Sequence, residues 1–273
     1  MNLTSWLAVL ALCWPHGSVP SGGDVALTRE QAKLVKDSGK ALKSSDEETS
    51  ILGLQEIALL AVEFKPAHKK ISEALALGFK NDSYLVRAET ARLMVKSPHP
   101  DVIVKAFVGA ADDIRGFIVS VSGMQKDEAA ALDVPSARLY SQRVIEGLGQ
   151  LPDDRSLKAL LEILASIPNR EHQRYLPVVA GALTDLAAWD GLKALMPRFG
   201  DMQSRDISRG AAKGPEKAAK KIHDHLASMA RGLSLDEIPD YGPDVHQEWR
   251  EWLDQHRKQF AVKLGRFRLP DED

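Results

Sequence analysis

The chain of 273 residues has one cysteine, Cys13, and few aromatic residues, which make up 6% of the sequence. A single cysteine excludes an intramolecular disulfide and with it the disulfide-stapled scaffolds of small secreted proteins. The formal net charge is only −2, so no overall positive charge favours a nucleic acid partner. Hydrophobic residues make up 44% of the chain, which is enough for a core built from aliphatic side chains. The composition predicts a folded globular protein.

Motifs for catalysis and metal binding are missing as well. The sequence has no glycine-rich phosphate loop, no nucleophile elbow and no zinc-protease helix motif. His223 and His225 are the strongest metal-ligand candidates, but two residues along a helix point about 200° apart and cannot hold one ion. We expect both to face solvent. The sequence predicts no catalytic residue, no cofactor and no metal site.

Residues 1–23 contain no charged side chain. They include an apolar run from Trp6 to Trp14, followed by Pro15 and a stretch of small residues. Such a run is too short to cross a bilayer and is typical of a secretory signal, although the usual basic residues before it are missing. The sequence predicts cleavage near residues 21–23 and a secreted or periplasmic mature chain without a transmembrane segment. The alternative is a leader without a targeting role.

Four apolar stripes recur along the chain with the spacing i, i+3, i+4, i+7, which is typical of one face of an α-helix. They begin at Ile71, Ile103, Leu157 and Leu192, so the intervals are 32, 54 and 35 residues. The long interval equals one repeat plus an insertion of about 22 residues, and repeat arrays tolerate such insertions. We place the insertion at 112–135. This periodicity indicates an α-solenoid, which is a stack of helical hairpins.

Capping residues and prolines predict where the helices begin and end. Thr28 and Gln31 form a capping box that starts a helix over 29–43. Pro66, Pro215 and Pro243 are each expected to start a later helix, because proline fits the first helical turn. The segment 200–214 is rich in Ser, Arg and Gly and is predicted to be a surface loop. In the third hairpin, Leu160 and Leu161 are predicted core residues.

The ends of a stack of hairpins need polar or aromatic caps. We expect residues 24–49 to cap the N-terminal end, and residues 201–273 to form a basic loop and capping helices at the C-terminal end. The last helix would carry Trp249 and Trp252 on one face, packed against the final repeat. The alternative is that this aromatic face is an exposed docking site.

Residues 85–93 read Leu-Val-Arg-Ala-Glu-Thr-Ala-Arg-Leu, and residues 98–102 read Pro-His-Pro-Asp-Val. A similar pattern returns in 141–149 and 157–164, and together these segments resemble the HEAT-repeat family. The resemblance covers about residues 50–200. It implies an all-α fold, an α-solenoid of about four helical hairpins with helical caps at both ends. It also implies a binding surface or scaffold rather than catalysis.

The favoured function is therefore an exported, non-enzymatic scaffold that binds a protein partner. One alternative is an accessory or regulatory subunit that supports a separate exported enzyme, and another is an enzyme resembling the HEAT-like lyases. Candidate partner-binding residues are Arg87, Arg92 and Arg143, which lie off the apolar stripes and present a guanidinium to carboxylates or aromatic rings. The alternative is that each arginine pairs with a nearby acid, such as Glu89 or Glu146.

A second candidate surface is the basic helix after residue 214. Lys217, Lys220 and Lys221 are close in sequence and form a candidate anion-binding cluster, whereas the alternative is a solvated helix face. Asn81 begins a formal glycosylation sequon, Asn-Asp-Ser, in a predicted turn.

Overall fold

The structure, a computed structural model, describes residues 26–63, 68–96, 99–121, 124, 133–208, 213–258 and 260. All regular secondary structure in these ranges is helical, which confirms the all-α class. The helices are α1 (Arg29–Ala41), α2 (Glu47–Glu63), α3 (Lys69–Ala76), α4 (Tyr84–Met94), α5 (Pro100–Val121), α6 (Val134–Gly149), α7 (Asp154–Ser166), α8 (His172–Leu186), α9 (Trp189–Ser208), α10 (Lys213–Gly232) and α11 (Val245–Gln255). None of these helices combines the length and the apolar character needed to cross a membrane.

The helices pack as two series that alternate along the chain. In the first series α2 contacts α4, α4 contacts α6, α6 contacts α8 and α8 contacts α10. In the second α3 contacts α5, α5 contacts α7, α7 contacts α9 and α9 contacts α11. We call these series the even layer and the odd layer. Helix α1 lies at the N-terminal end, in contact with both α2 and α3.

The capping box predicted for the first helix is confirmed. Gln31 N–H donates to Thr28 Oγ1 over 3.2 Å, and Thr28 N–H donates to Gln31 Oε1 over 2.9 Å. These two bonds satisfy two of the amide groups that have no partner inside the helix. Helix α3 begins at Lys69 after an N-cap at His68, and the start predicted at Pro66 lies outside the described residues.

The apolar stripes face the space between the two layers. Leu160 is fully buried, but Leu161 is partly exposed, so the core prediction for Leu161 is wrong. The buried face of α7 contains Ser156, Ala159, Leu160, Ile163 and Leu164, so it keeps two residues of the predicted stripe and is slightly rotated from it. In the core, the rings of Phe79 and Phe107 meet edge to face with centroids 5.3 Å apart.

Helix α5 extends into the segment 112–135, where an insertion was expected, and the insertion itself stays a prediction. Residues 112–121 continue α5, because Ile114, Ile118 and Val121 extend the buried stripe that starts at Ile103. Asp112 and Asp113 lie on the exposed side of this helix. Of the remaining residues, 124 and 133–135 are described, and α6 begins at Val134.

The loop predicted at 200–214 is also corrected, because α9 runs on to Ser208. Phe199 and Met202 are buried and carry its apolar face past Gly200. Helix α10 then begins at Lys213, two residues before Pro215. Proline is tolerated there because the amide groups of the first turn have no partner inside the helix.

The aromatic face of the last helix is buried rather than exposed. Trp249 and Trp252 are 0% and 3% exposed, and their rings meet edge to face with centroids 5.1 Å apart. The indole N–H of Trp189 donates to the carbonyl of Leu253 over 2.8 Å and joins α9 to α11. Helix α11 begins at Val245, shortly after the predicted start at Pro243.

Candidate functional site

Two grooves lie between successive helices of the odd layer. One has a volume of about 780 Å³ and runs between α3 and α5. The other has a volume of about 810 Å³ and runs between α9 and α11. Grooves of this size suit a peptide segment or a small molecule. The two grooves differ in the apolar surface and in the polar side chains that they offer to a ligand.

The α3–α5 groove has an apolar floor of small and medium side chains. Leu77 and Phe79 come from the short helical turn after α3, and Val102 and Ala106 come from the first turns of α5. Ala106, Gly109 and Ala110 are small residues that face the groove from α5 and leave space there. A Cβ atom added at Gly109 would meet no other atom within 4 Å, which shows how much space lies above that position.

Charged side chains surround this floor, and some of them have partners. Lys69 Nζ lies 3.9 Å from Glu73 Oε1, and Asp101 Oδ1 lies 3.6 Å from Arg155 of α7. Such exposed pairs are weak and remain available for exchange.

Two lysines of the rim have no such pairing. Lys80 and Lys105 are exposed and form no ion pair with another described residue. His99 Nδ1 is buried at the groove edge and has no hydrogen-bond partner within the described ranges. Asp113 of the same rim is exposed and forms no ion pair with another described residue, so the unpaired rim carries two positive charges and one negative charge. An apolar floor beside a net positive charge suits a ligand that carries an apolar group next to a carboxylate.

The walls of the α9–α11 groove are more fully bonded to each other. Lys193 Nζ contacts both carboxylate oxygens of Asp254, at 2.6 and 2.7 Å. His246 Nδ1 lies 2.7 Å from Gln203 Oε1, and the imidazole rests on Gly200, where a Cβ would approach within 2.8 Å. These contacts connect α9 to α11, but the exposed Gln247, Arg250 and Glu251 also line the groove without an ion pair to another described residue. What distinguishes the α3–α5 groove is its apolar floor.

The three candidate arginines lie on α4 and α6, in the even layer. Arg92 makes a bidentate contact with Glu89. Its Nε donates to Oε2 over 2.8 Å, and its Nη2 donates to Oε1. Arg143 Nη1 lies 3.0 Å from Glu146 Oε2. The alternative pairing proposed from the sequence is therefore present for both. Their partner-binding role stays a prediction.

Arg87 is held by a different set of contacts. Its Nε donates to the carbonyl of Asn81, and its guanidinium carbon lies 5.2 Å from the centre of the Tyr84 ring. This cation–π contact and the hydrogen bond fix the side chain over the turn that leads into α4. Arg87 thus has a structural task in addition to any contact with a partner.

The candidate anion cluster lies on an exposed face of α10. Lys217, Lys220 and Lys221 all point to solvent, and none of them lines either groove. Lys220 Nζ lies 3.3 Å from Asp224 Oδ1 and 5.7 Å from the centre of the Tyr241 ring. The anion-binding role of this cluster stays a prediction.

The solvent-facing position expected for the two histidines is wrong for His223. His223 is 9% exposed, and its Nδ1 accepts a hydrogen bond from the Trp249 indole over 3.2 Å. His225 is partly buried against Gly181, where a Cβ would lie 3.1 Å from the imidazole. Burial lowers the pKa of both histidines. Within the described residues, no group of three or more His, Cys, Asp or Glu is placed to hold a metal ion.

The sequon residue Asn81 has its amide inside the protein. Asn81 Nδ2 donates to the carbonyl of Leu42 over 2.8 Å and to Ser50 Oγ over 3.1 Å. Asn81 Oδ1 accepts from Ser83 N–H over 2.8 Å. A glycan on Asn81 would take one of the two Nδ2 hydrogens, so the amide could keep only one of these two donor contacts. In this fold the Asn81 side chain holds the turn before α4 in place.

The groove residues were missed at the sequence level, because the groove depends on packing between separate helices. The one signal available was the run of small residues on α5 that includes Ala106, Gly109 and Ala110. Small residues leave space, but only the position of α3 turns that space into a groove. Comparison of the chain with protein-family models, curated proteins and solved structures gave no match.

Proposed function

We propose that the protein is an exported, non-enzymatic scaffold of the HEAT-like type that binds a protein partner in the α3–α5 groove. In this proposal, helices α2 to α9 are four stacked hairpins of an α-solenoid. Helix α1 caps the N-terminal end, and α10 and α11 cap the C-terminal end. The leader at 1–23 directs export.

The alternating contacts of the two layers support this architecture most directly. Each even helix touches the next even helix, and each odd helix from α3 to α11 touches the next odd helix, in chain order. That order is what a stack of hairpins produces, because each hairpin buries its apolar face only against its neighbours. The face formed by one layer is then a continuous surface suited to an extended partner.

The chemistry of the groove indicates the kind of partner segment. Its floor offers contact area to a Leu, Met or Phe side chain, and Lys80 and Lys105 attract a carboxylate beside it. We therefore propose a short peptide segment that combines an apolar anchor with Asp or Glu, from an exported protein. Burial of one apolar anchor would contribute on the order of 1.5–3 kcal/mol.

Site-specific photocrosslinking tests this proposal. A photoreactive residue is placed at Lys105, in the groove, and a matched one at Ser120, which is exposed on the same helix. Incubation with the extracytoplasmic proteins of the source cells should give a discrete crosslinked protein from position 105 and much less from position 120. Equal crosslinking at both positions, or crosslinks only at 120, would contradict a groove-bound partner.

A further inference from the structure

The rim of the α9–α11 groove carries more negative than positive charge. Among the described residues that line it, four are acids and two are cations: Asp201, Asp244, Glu251, Asp254, Lys193 and Arg250. Lys193 is bonded to Asp254, whereas Asp244 and Glu251 are exposed and form no ion pair with another described residue. Such a rim attracts a positively charged ligand and repels an anion.

Apolar surface lies beside these acids. Pro197 of α9 and Pro243, which precedes α11 by two residues, line the groove and are exposed. The wall around them is fixed, because Gln203 Oε1 lies 2.7 Å from His246 Nδ1 and joins α9 to α11. The groove therefore suits an occupant in which cationic and apolar side chains lie close together.

The chain itself supplies such a sequence after α11. Residues 261–273 lie outside the described residues and read Ala-Val-Lys-Leu-Gly-Arg-Phe-Arg-Leu-Pro-Asp-Glu-Asp. The part before Pro270 has no acid, and its cations are Lys263, Arg266 and Arg268. All three acids of these residues follow Pro270. We call residues 261–269 the basic segment.

The order of residues in the basic segment matches the two features of the groove. Arg266, Phe267, Arg268 and Leu269 alternate between cationic and apolar side chains. Alternate side chains of an extended chain point to opposite sides, so one side would present both arginines and the other both apolar residues. Proline favours an extended conformation at the residue before it, which is Leu269.

We propose that the basic segment occupies the α9–α11 groove of its own chain, with the arginines at the acidic rim and the apolar side chains against the two prolines. The chain leaves the C-terminal end of α11 at Phe260, which is buried with its ring centroid 6.1 Å from that of Trp252. Glu251 precedes Phe260 by nine residues, which is about 14 Å along a helix. Arg266 follows Phe260 by six residues and can reach about 20 Å from it, so it can meet Glu251.

The covalent connection favours this occupant over a separate basic peptide. A short connection gives a tethered segment an effective concentration in the millimolar range. A basic partner therefore reaches the groove only by displacing the basic segment. The acids after Pro270 remain in solvent, because the rim repels them.

Photocrosslinking within the full chain tests this arrangement. The photoreactive benzoylphenylalanine replaces Phe267, and mass spectrometry maps the crosslinked peptides. We expect crosslinks within one chain to apolar residues that line the groove, namely Met196, Pro197 and Pro243. Mixing chains with and without nitrogen-15 separates crosslinks within a chain from crosslinks between chains.

Charge variants show what holds the segment. Glu251→Lys should lower the crosslink yield at least fivefold, because the reversed charge repels the arginines. The matched control is Glu248→Lys, because Glu248 is exposed on the same helix and does not line the groove, so the yield should stay unchanged. Arg266→Glu combined with Arg268→Glu should give the same loss as Glu251→Lys and leaves the groove unaltered. Circular dichroism checks that all variants are folded.

Three results would overturn the proposal. The first is a set of crosslinks outside the groove, or a yield that the charge variants leave unchanged. The second is crosslinking between chains, which would make a second copy the occupant. The third is a groove that the tethered segment leaves unlabelled, but that a separate peptide of residues 261–269 with the same probe labels. The occupant would then be a separate basic segment.

Discussion

The Trp249 indole N–H donates to Nδ1 of His223 over 3.2 Å, and the two ring centroids lie 5.8 Å apart. An imidazole nitrogen that accepts a hydrogen bond carries no proton, so this contact holds His223 in its neutral form. Because His223 lies on α10 and Trp249 on α11, the bond ties α11 to α10. Protonation of the His223 imidazole would therefore weaken the contact between α10 and α11.

Stability should consequently depend on pH in the acidic range. Burial lowers the pKa of His223, with Lys220 and Arg231 lowering it further and Asp224 and Asp240 opposing them. The unfolded chain takes up the proton first, near pH 6.5, so this contribution to stability is complete above that pH and declines as the pH falls below it. We expect the thermal midpoint to decrease from pH 7 to pH 5.

The variant His223→Gln isolates this effect. Glutamine keeps an acceptor for the Trp249 indole and does not titrate. Its thermal midpoint should change less between pH 7 and pH 5 than that of the wild type. His225→Gln is the comparison, since burial lowers the pKa of His225 as well. If both variants keep the full pH dependence of the wild type, the histidines do not cause it.

Asn81 should be important for stability although it lies in a turn. Asn81→Ala leaves the carbonyl of Leu42 and the Ser83 N–H without their partner, so we expect a loss of about 1–3 kcal/mol in the free energy of unfolding. Urea unfolding measures it. Asp82→Ala is the matched control, because Asp82 is the exposed neighbour and should change the free energy by less than about 0.5 kcal/mol. Equal effects of the two variants would contradict the assigned contacts.

The core of α7 offers a matched pair in adjacent residues. Leu160→Ala should cost about 2–5 kcal/mol, because Leu160 is 0% exposed and its removal leaves a cavity. Leu161→Ala should cost much less, because Leu161 is partly exposed. If stability is shared between stacked hairpins, Leu160→Ala should also reduce hydrogen-exchange protection in α5 and α9. Protection lost in α7 alone would argue against a repeat architecture.

The paired arginines should contribute little to stability. Arg92 and Arg143 each pair with a glutamate three residues away on the same helix, and such pairs contribute about 0.2–0.5 kcal/mol. Thermal unfolding of the double alanine variant should therefore remain close to the wild type. Once a partner is identified, the same variant tests the arginine surface. A tenfold loss of affinity would assign binding to α4 and α6 rather than to the groove.

The sequence predicted local features well where one segment determines the outcome. The stripe starting at Leu192 is buried through Phe199, and the Thr28 capping box is present, because both depend on residues within two helical turns. The extension of α5 beyond residue 111 was missed, because residues 112–135 were assigned to an insertion. Asp112 and Asp113 are exposed on a helix whose buried stripe continues to Val121.

The candidate site could not be predicted in the same way. Phe79 and Gly109 line the same groove although they are thirty residues apart in sequence. Their proximity depends on how α3 packs on α5, and no local pattern specifies that distance. The burial of His223 likewise depends on Trp249, which belongs to another helix.

Affinity for the crosslinked partner is the most direct test of groove binding. Gly109 and Gly116 both lie on α5, and a Cβ at either position would meet no atom within 4 Å, but only Gly109 lines the groove. Gly109→Trp should fill the groove and weaken binding at least tenfold, measured by isothermal titration calorimetry. Gly116→Trp adds the same side chain outside the groove and should leave the affinity unchanged. Equal affinity of the two variants would contradict the central claim that the α3–α5 groove holds the partner.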